Sequence, residues 1–202
     1  MRSLTFLSVI FLLSACTATT LSHDSLNFRN LTSDSLLFSD LAEKTKALNL
    51  PPINKGVDSF ELRVWHGISI ASPKRLVTLK YQDSAWYLTN THYWLNYQRT
   101  NGSPDKVLLD SSFTKTLGVP SNISSIVDSI FQFRFDTFPS QTEIPGFEDR
   151  VADGVFYHVE ISTPNFYKAI SYNNPSRYED AYNHRMTKFI TMLKGISVFS
   201  MR

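Results

Sequence analysis

The chain has 202 residues, 42% of them hydrophobic and 13% aromatic, which is enough apolar material for one domain with a sizeable core. Its 20 Lys and Arg nearly balance its 18 Asp and Glu, and no run of about five or six basic residues occurs, which argues against nucleic-acid binding by phosphate neutralisation. A single cysteine, Cys16, excludes a disulfide framework.

The chain begins MRSLTFLSVIFLLSACTATT. Residues 4–13 are apolar apart from Thr5 and Ser8, and they follow Arg2. This run is about half the roughly 20 residues that span a bilayer, so it reads as a removable export signal. Small Ser14 and Ala15 lead into Cys16. Leu13-Ser14-Ala15-Cys16 resembles the lipobox of bacterial lipoproteins. The resemblance implies that the Cys16 sulfur carries a diacylglycerol, that cleavage falls just before Cys16, and that the new amino group is acylated. Each buried CH₂ contributes about 0.8 kcal/mol, so two or three chains would hold effectively permanently. Thr17 stands where an Asp would favour inner-membrane retention, so the resemblance implies an outer-membrane address. The plain alternative is an ordinary secretory signal that leaves one stray thiol. On this reading residues 1–15 are the signal peptide, 16–32 the lipidated N-terminus and flexible tether, and 33–202 a single domain.

Residues 33–50 carry Leu37, Phe38, Leu41, Ala42 and Leu48 at mostly helical spacing, ahead of Pro51-Pro52, which predicts an amphipathic helix. Residues 60–66 alternate, with Phe60, Leu62 and Val64 on one face and Glu61, Arg63 and Trp65 on the other, as a half-buried strand does. Strands are predicted at 75–81, 85–91 and 93–99, with 106–110 pairing back across the Asn101-Gly102 turn. Ile123, Ile126, Val127 and Ile130 mark a helix from Pro120 to about Phe133, followed by a loop over 139–150. A hairpin is predicted from residues 155–162 and 166–172, turning at Thr163-Pro164-Asn165. Ser176-Arg177-Tyr178-Glu179 reads as a capping box for a last helix whose stripe is Tyr178, Tyr182, Met186, Phe189 and Leu193, stopping at Gly195. The expected fold is α+β, a mainly antiparallel sheet with about three helices packed on it.

No catalytic or cofactor motif stands out. There is no G-x-S-x-G, no H-E-x-x-H and no glycine-rich phosphate loop, and the one cysteine is committed to lipid. His23, His66, His92, His158 and His184 are scattered. His158 and Glu160 share a strand face and could form part of a zinc site, but two ligands fall short of the three or four required. They are expected to face solvent, as are Glu61, Arg63 and Trp65, unless a partner lies there. The cluster Trp86, Tyr87, Tyr93, Trp94 and Tyr97 is the strongest binding signal, because aromatic faces stack on sugars and anchor interfaces. Alternation puts one set in the core, so Trp86 and Trp94 are the candidate ligand-binding residues. Three roles follow: a non-catalytic envelope module for a protein or glycan, a hydrolase whose acidic and histidine groups converge in space, or an inhibitor that plugs a cleft with residues 101–104 or 139–146. No cofactor or metal is expected.

Overall fold

The computed structural model describes residues 28–68, 73–100, 103–149 and 154–195. In chain order the elements are β1 (Arg29–Asn30), α1 (Ser35–Ala47), β2 (Phe60–Gly67), β3 (Lys74–Gln82), β4 (Ala85–Thr100), β5 (Ser103–Leu117), α2 (Ile123–Gln132), β6 (Phe156–Ser162), β7 (Phe166–Asn173) and α3 (Ala181–Gly195). The strands form one sheet in the order β1-β7-β6-β2-β3-β4-β5. Every pairing is antiparallel except β1 with β7. The class is therefore α+β, as the sequence predicts, with a larger and more strand-rich sheet. No helix among the described residues is long and apolar enough to cross a membrane.

The sheet is covered on both faces over its middle strands, while much of β5 stays exposed. One core joins Phe60, Leu62, Val64, Tyr157, Val159 and Ile161 to Ile126 and Ile130 of α2 and Met186 and Phe189 of α3. The other joins Trp65, Tyr93, Tyr167 and Ala169 to Leu37 and Leu41 of α1. This overturns the expectation of a half-buried β2: all eight of its residues are buried. Alternation in β2 separates one core from another, and not core from water. Gly67 marks how tightly the faces are filled, since a Cβ there would stand 2.3 Å from the Phe156 ring on β6.

Local chemistry sets the ends of the helices. Asp34 caps α1 by accepting from Leu37 N at 2.9 Å. The helix stops where Asn49 turns left-handed (φ 51°), ahead of Pro51 and Pro52. The predicted capping box at Ser176 is not the cap of α3. Residues Pro175–Arg177 form a separate 3₁₀ turn, and Asp180 caps the helix by accepting from Tyr182 N and Asn183 N, each at 3.0 Å. Tyr178 consequently leaves the helical stripe and stacks on Phe147.

The predicted strands 85–91 and 93–99 are one continuous β4, and β5 is three times longer than predicted. A bulge leaves Asp110 unpaired between Ser111↔Trp94 and Leu109↔Leu95. Beyond β3 the β4–β5 hairpin continues as a two-stranded arm, and Leu95 and Val107 of that arm pack into the α1 core. At the opposite edge the expected tether ends in the fold. Arg29 and Asn30 pair with Phe166 and Tyr167, and Thr32 Oγ1 accepts from Ala169 N at 2.8 Å. The signal peptide and Cys16 lie outside the described residues.

Candidate functional site

The α1 side of the sheet holds a buried polar cluster that alternation alone reads as a wet face. In register, Ser162, Glu160 and His158 of β6 lie beside Glu61, Arg63 and Trp65 of β2. Arg63 is 1% exposed, Glu61 and Glu160 3% each, and Trp65 fully buried. Isolated charges at such depth would cost several kcal/mol each, so pairing decides whether they are tolerated. Arg63 Nε donates to Glu61 Oε1 at 2.7 Å, and its Nη2 donates to the Pro51 carbonyl at 2.7 Å. Glu160 is served by neutral donors: Trp65 Nε1 to Oε2 at 2.6 Å and the Tyr167 hydroxyl to Oε1 at 2.8 Å. Burial pushes the Glu160 carboxyl above the usual carboxylate range, against the opposing pull of Arg63 and these two donors. Tyr167 is pushed up by its own burial and by the adjoining carboxylate.

A cavity of about 310 Å³ opens beside this cluster. Its roof is α1, through Phe38, Leu41 and Ala42; its wall is the segment after the helix, through Leu50, Ile53 and Asn54; its floor on the sheet is Glu160 and Tyr167. The wall is tied down, because the Ser162 hydroxyl donates to Ile53 O at 2.7 Å and Arg63 holds Pro51. The site is thus pre-formed, apolar and supplied with few polar atoms, the usual make-up of a small-molecule pocket. Asn54 Oδ1 is buried with no hydrogen-bond partner. Across Leu50 and Pro51 lies a smaller depression of about 180 Å³ lined by Arg63, Lys80 and Tyr87 among others.

Glu160 is buried and His158 is half-buried beneath α1, its side chain 15% exposed, so the solvent-facing assignment is corrected for both. His158 Nδ1 meets the Ser171 hydroxyl at 3.0 Å, and Nε2 stands 3.9 Å from Asp40 Oδ2. The Ser-His-Asp row has the right residue types but not the working geometry. Asp40 is engaged by Lys44, it is too far to orient the ring by a hydrogen bond, and none of the three lines the cavity. Burial, then Lys44, hold the imidazole well below its usual range, which disfavours the protonated form that a general base must reach. Among the described residues no group of three or more His, Cys, Asp or Glu gathers to hold a metal ion.

The aromatic cluster divides as alternation requires. Tyr93 is fully buried against Trp65, and Trp86 is half-buried against Phe60 and Tyr81. Trp94 is 39% exposed and shares the outer sheet face with Phe113, 65% exposed, because Trp94↔Ser111 and His92↔Phe113 are alternate pairs of one ladder. Tyr97 lies on the other face and packs against Lys74. Residues 139–146, expected as a free loop, are strapped to the body: Gln141 is buried, donating to Asn173 O at 3.0 Å and Asn183 Oδ1 at 2.6 Å. Residues 101 and 102 lie outside the described residues.

On the far side of the sheet His66 is buried beside Tyr157, and burial, Arg75 and Lys194 hold its imidazole down to about 4. Its unfolded value is about 6.5. Between these values the unfolded chain takes up a proton that the folded one refuses, so stability rises with pH across pH 4 to 6.5, by roughly 3 kcal/mol at most. Urea titrations of the wild type and His66→Phe should show a shallower slope in the variant over that window. The slope will not vanish, since His92 and His158 shift in the same direction. Identical slopes would refute the assignment.

No protein-family model matches the chain, and no curated protein matches it in sequence. The class is therefore set by the fold alone: an α+β protein with one sheet clad by helices on both faces.

Proposed function

We propose that the chain is a lipid-anchored protein of the bacterial cell envelope, held to the outer membrane through acyl chains on Cys16, and that its body is a non-catalytic binding module. The anchor rests on Leu13-Ser14-Ala15-Cys16 at the end of a short apolar run. The observation that carries the binding role is the 310 Å³ apolar cavity converging on one buried carboxyl, Glu160. A site of this make-up holds a small molecule without needing to transform it.

Two measurements test the reading. Cell fractionation should place the wild type in the membrane pellet and Cys16→Ser in the soluble fraction; a soluble wild type with a bare thiol by mass spectrometry would remove the anchor. An environment-sensitive apolar dye should bind the wild type and not Ala42→Phe, whose ring would enter the cavity from an exposed position on α1. Equal dye binding by both would remove the cavity as the site.

A second reading is favoured by Trp94 and Phe113, exposed together on the outer face of the β4–β5 hairpin. Aromatic pairs in water are common anchors for a partner, and in this reading the partner is an envelope protein or a glycan. Pull-down from envelope extract, compared with Trp94→Ala, tests it, and retention of every captured species by the variant would refute it.

A further inference from the structure

Among the described residues no ion pair joins Glu160 to a cation. Arg63, the buried cation that acts on it, spends Nε on Glu61 and Nη2 on the Pro51 carbonyl, while its Nη1 has no hydrogen-bond partner among the described residues. Lys80 lies 3.9 Å from Glu61, on the far side of that pair. The direct partners of Glu160 are an indole N–H and a phenol O–H, both neutral. Each carboxylate oxygen thus accepts one hydrogen bond from these donors and has room for another. The second polar atom of interest in the cavity lining is Asn54 Oδ1, a buried acceptor with no donor. Both groups therefore call for N–H or O–H donors from whatever enters. Among the described lining residues the cation is Lys46, an exposed α1 residue whose long stem lets its head stay in water.

Resting on the cavity being a ligand site, we infer that its ligand is a small organic cation. The ligand carries an ammonium group that donates to Glu160 and Asn54 Oδ1, on a flat apolar body that lies between α1 and the sheet. A cavity of about 150 Å³ holds benzene, so one of about 310 Å³ suits roughly twelve heavy atoms, the size of an arylethylamine. An anionic ligand of the same shape would bring its charge against Glu160 and its acceptors against Asn54 Oδ1, and would be excluded on both counts. A neutral one would fill the volume but leave both acceptors unmet.

The Trp65 indole N–H donates directly to Glu160 of the cavity floor and is therefore a local reporter. The full chain, ¹⁵N-labelled in zwitterionic detergent, would be titrated with tryptamine, 3-ethylindole and indole-3-propanoate while that signal is followed. Tryptamine should shift it saturably, at least tenfold tighter than 3-ethylindole, with indole-3-propanoate weakest. Glu160→Gln should cut the preference for tryptamine over 3-ethylindole to under threefold. Should that variant fold poorly, Ala42→Phe in the wild-type background should abolish the shift by either ligand. If 3-ethylindole or indole-3-propanoate binds as tightly as tryptamine, the cation is wrong and the cavity still stands as the site. If none of the three moves the signal, the cavity reading falls and takes this inference with it.

Discussion

Arg63→Met should lower the unfolding free energy by about 3–5 kcal/mol at pH 8, the usual cost of stranding a buried charge by removing its partner. For a chain of this length that is a fall in Tm of roughly 10 °C. Methionine keeps the volume and removes the charge, so the loss reports electrostatics and not a cavity. The guanidinium serves Glu61 directly and pulls on Glu160 at longer range. Its removal therefore raises the Glu160 carboxyl further. An acid whose folded value lies above its unfolded one holds a proton that the unfolded chain has lost, so stability declines as pH rises through that interval. The variant widens the interval. Its deficit should therefore be smaller at pH 4.5 than at pH 8. Urea melts at both values check this, and a loss below 1 kcal/mol, or one that is equal at both, would refute it.

Phe189→Ala should cost about 3–5 kcal/mol, with no dependence on pH. The ring is fully buried and packs edge-on against Phe133 at 5.1 Å and Phe135 at 4.9 Å between centroids. These partners belong to the segment after α2, so the substitution opens a void where α3, that segment and the sheet meet. Phe113→Ala is the matched control. It removes an equal ring that is 65% exposed, and should change stability by no more than about 0.5 kcal/mol. If the two variants unfold at the same denaturant concentration, the division into core and surface rings is wrong.

The face built on Phe60, Leu62, Val64, Tyr157, Val159 and Ile161 was legible because every member is apolar and the period is two. The opposite face was not, because Glu61, Arg63, His158 and Glu160 satisfy the rule for a wet surface; Glu61 and Arg63 are buried as a pair, Glu160 is buried against donors from Trp65 and Tyr167, and His158 is half-buried against Ser171. A signal was present: Trp65, Tyr167 and Ala169 occupy that same face, and a row with so much apolar area seldom faces water. Residues 111–117 escaped notice because Asp110-Ser111-Ser112 has turn composition, while the structure uses Asp110 as a bulge within a strand. At the last helix Ser176 and Asp180 both precede a polar-apolar pattern, and only the backbone geometry chooses between them. The cavity could not be read in advance. Its parts come from α1, the segment behind it, β6 and β7, which lie more than a hundred residues apart in the chain.

With β6 and β3 on its two edges and a hydrophobic layer against each face, β2 has no side from which solvent can approach. Its amide protons therefore exchange with deuterium only when the whole molecule unfolds, and their protection factors measure global stability directly. The amides of α1 can exchange by detachment of that helix alone, because the larger of the two apolar layers survives its departure. Labelling in D₂O should accordingly resolve two populations, a slow one in the middle strand and a faster one above the Glu160 cavity.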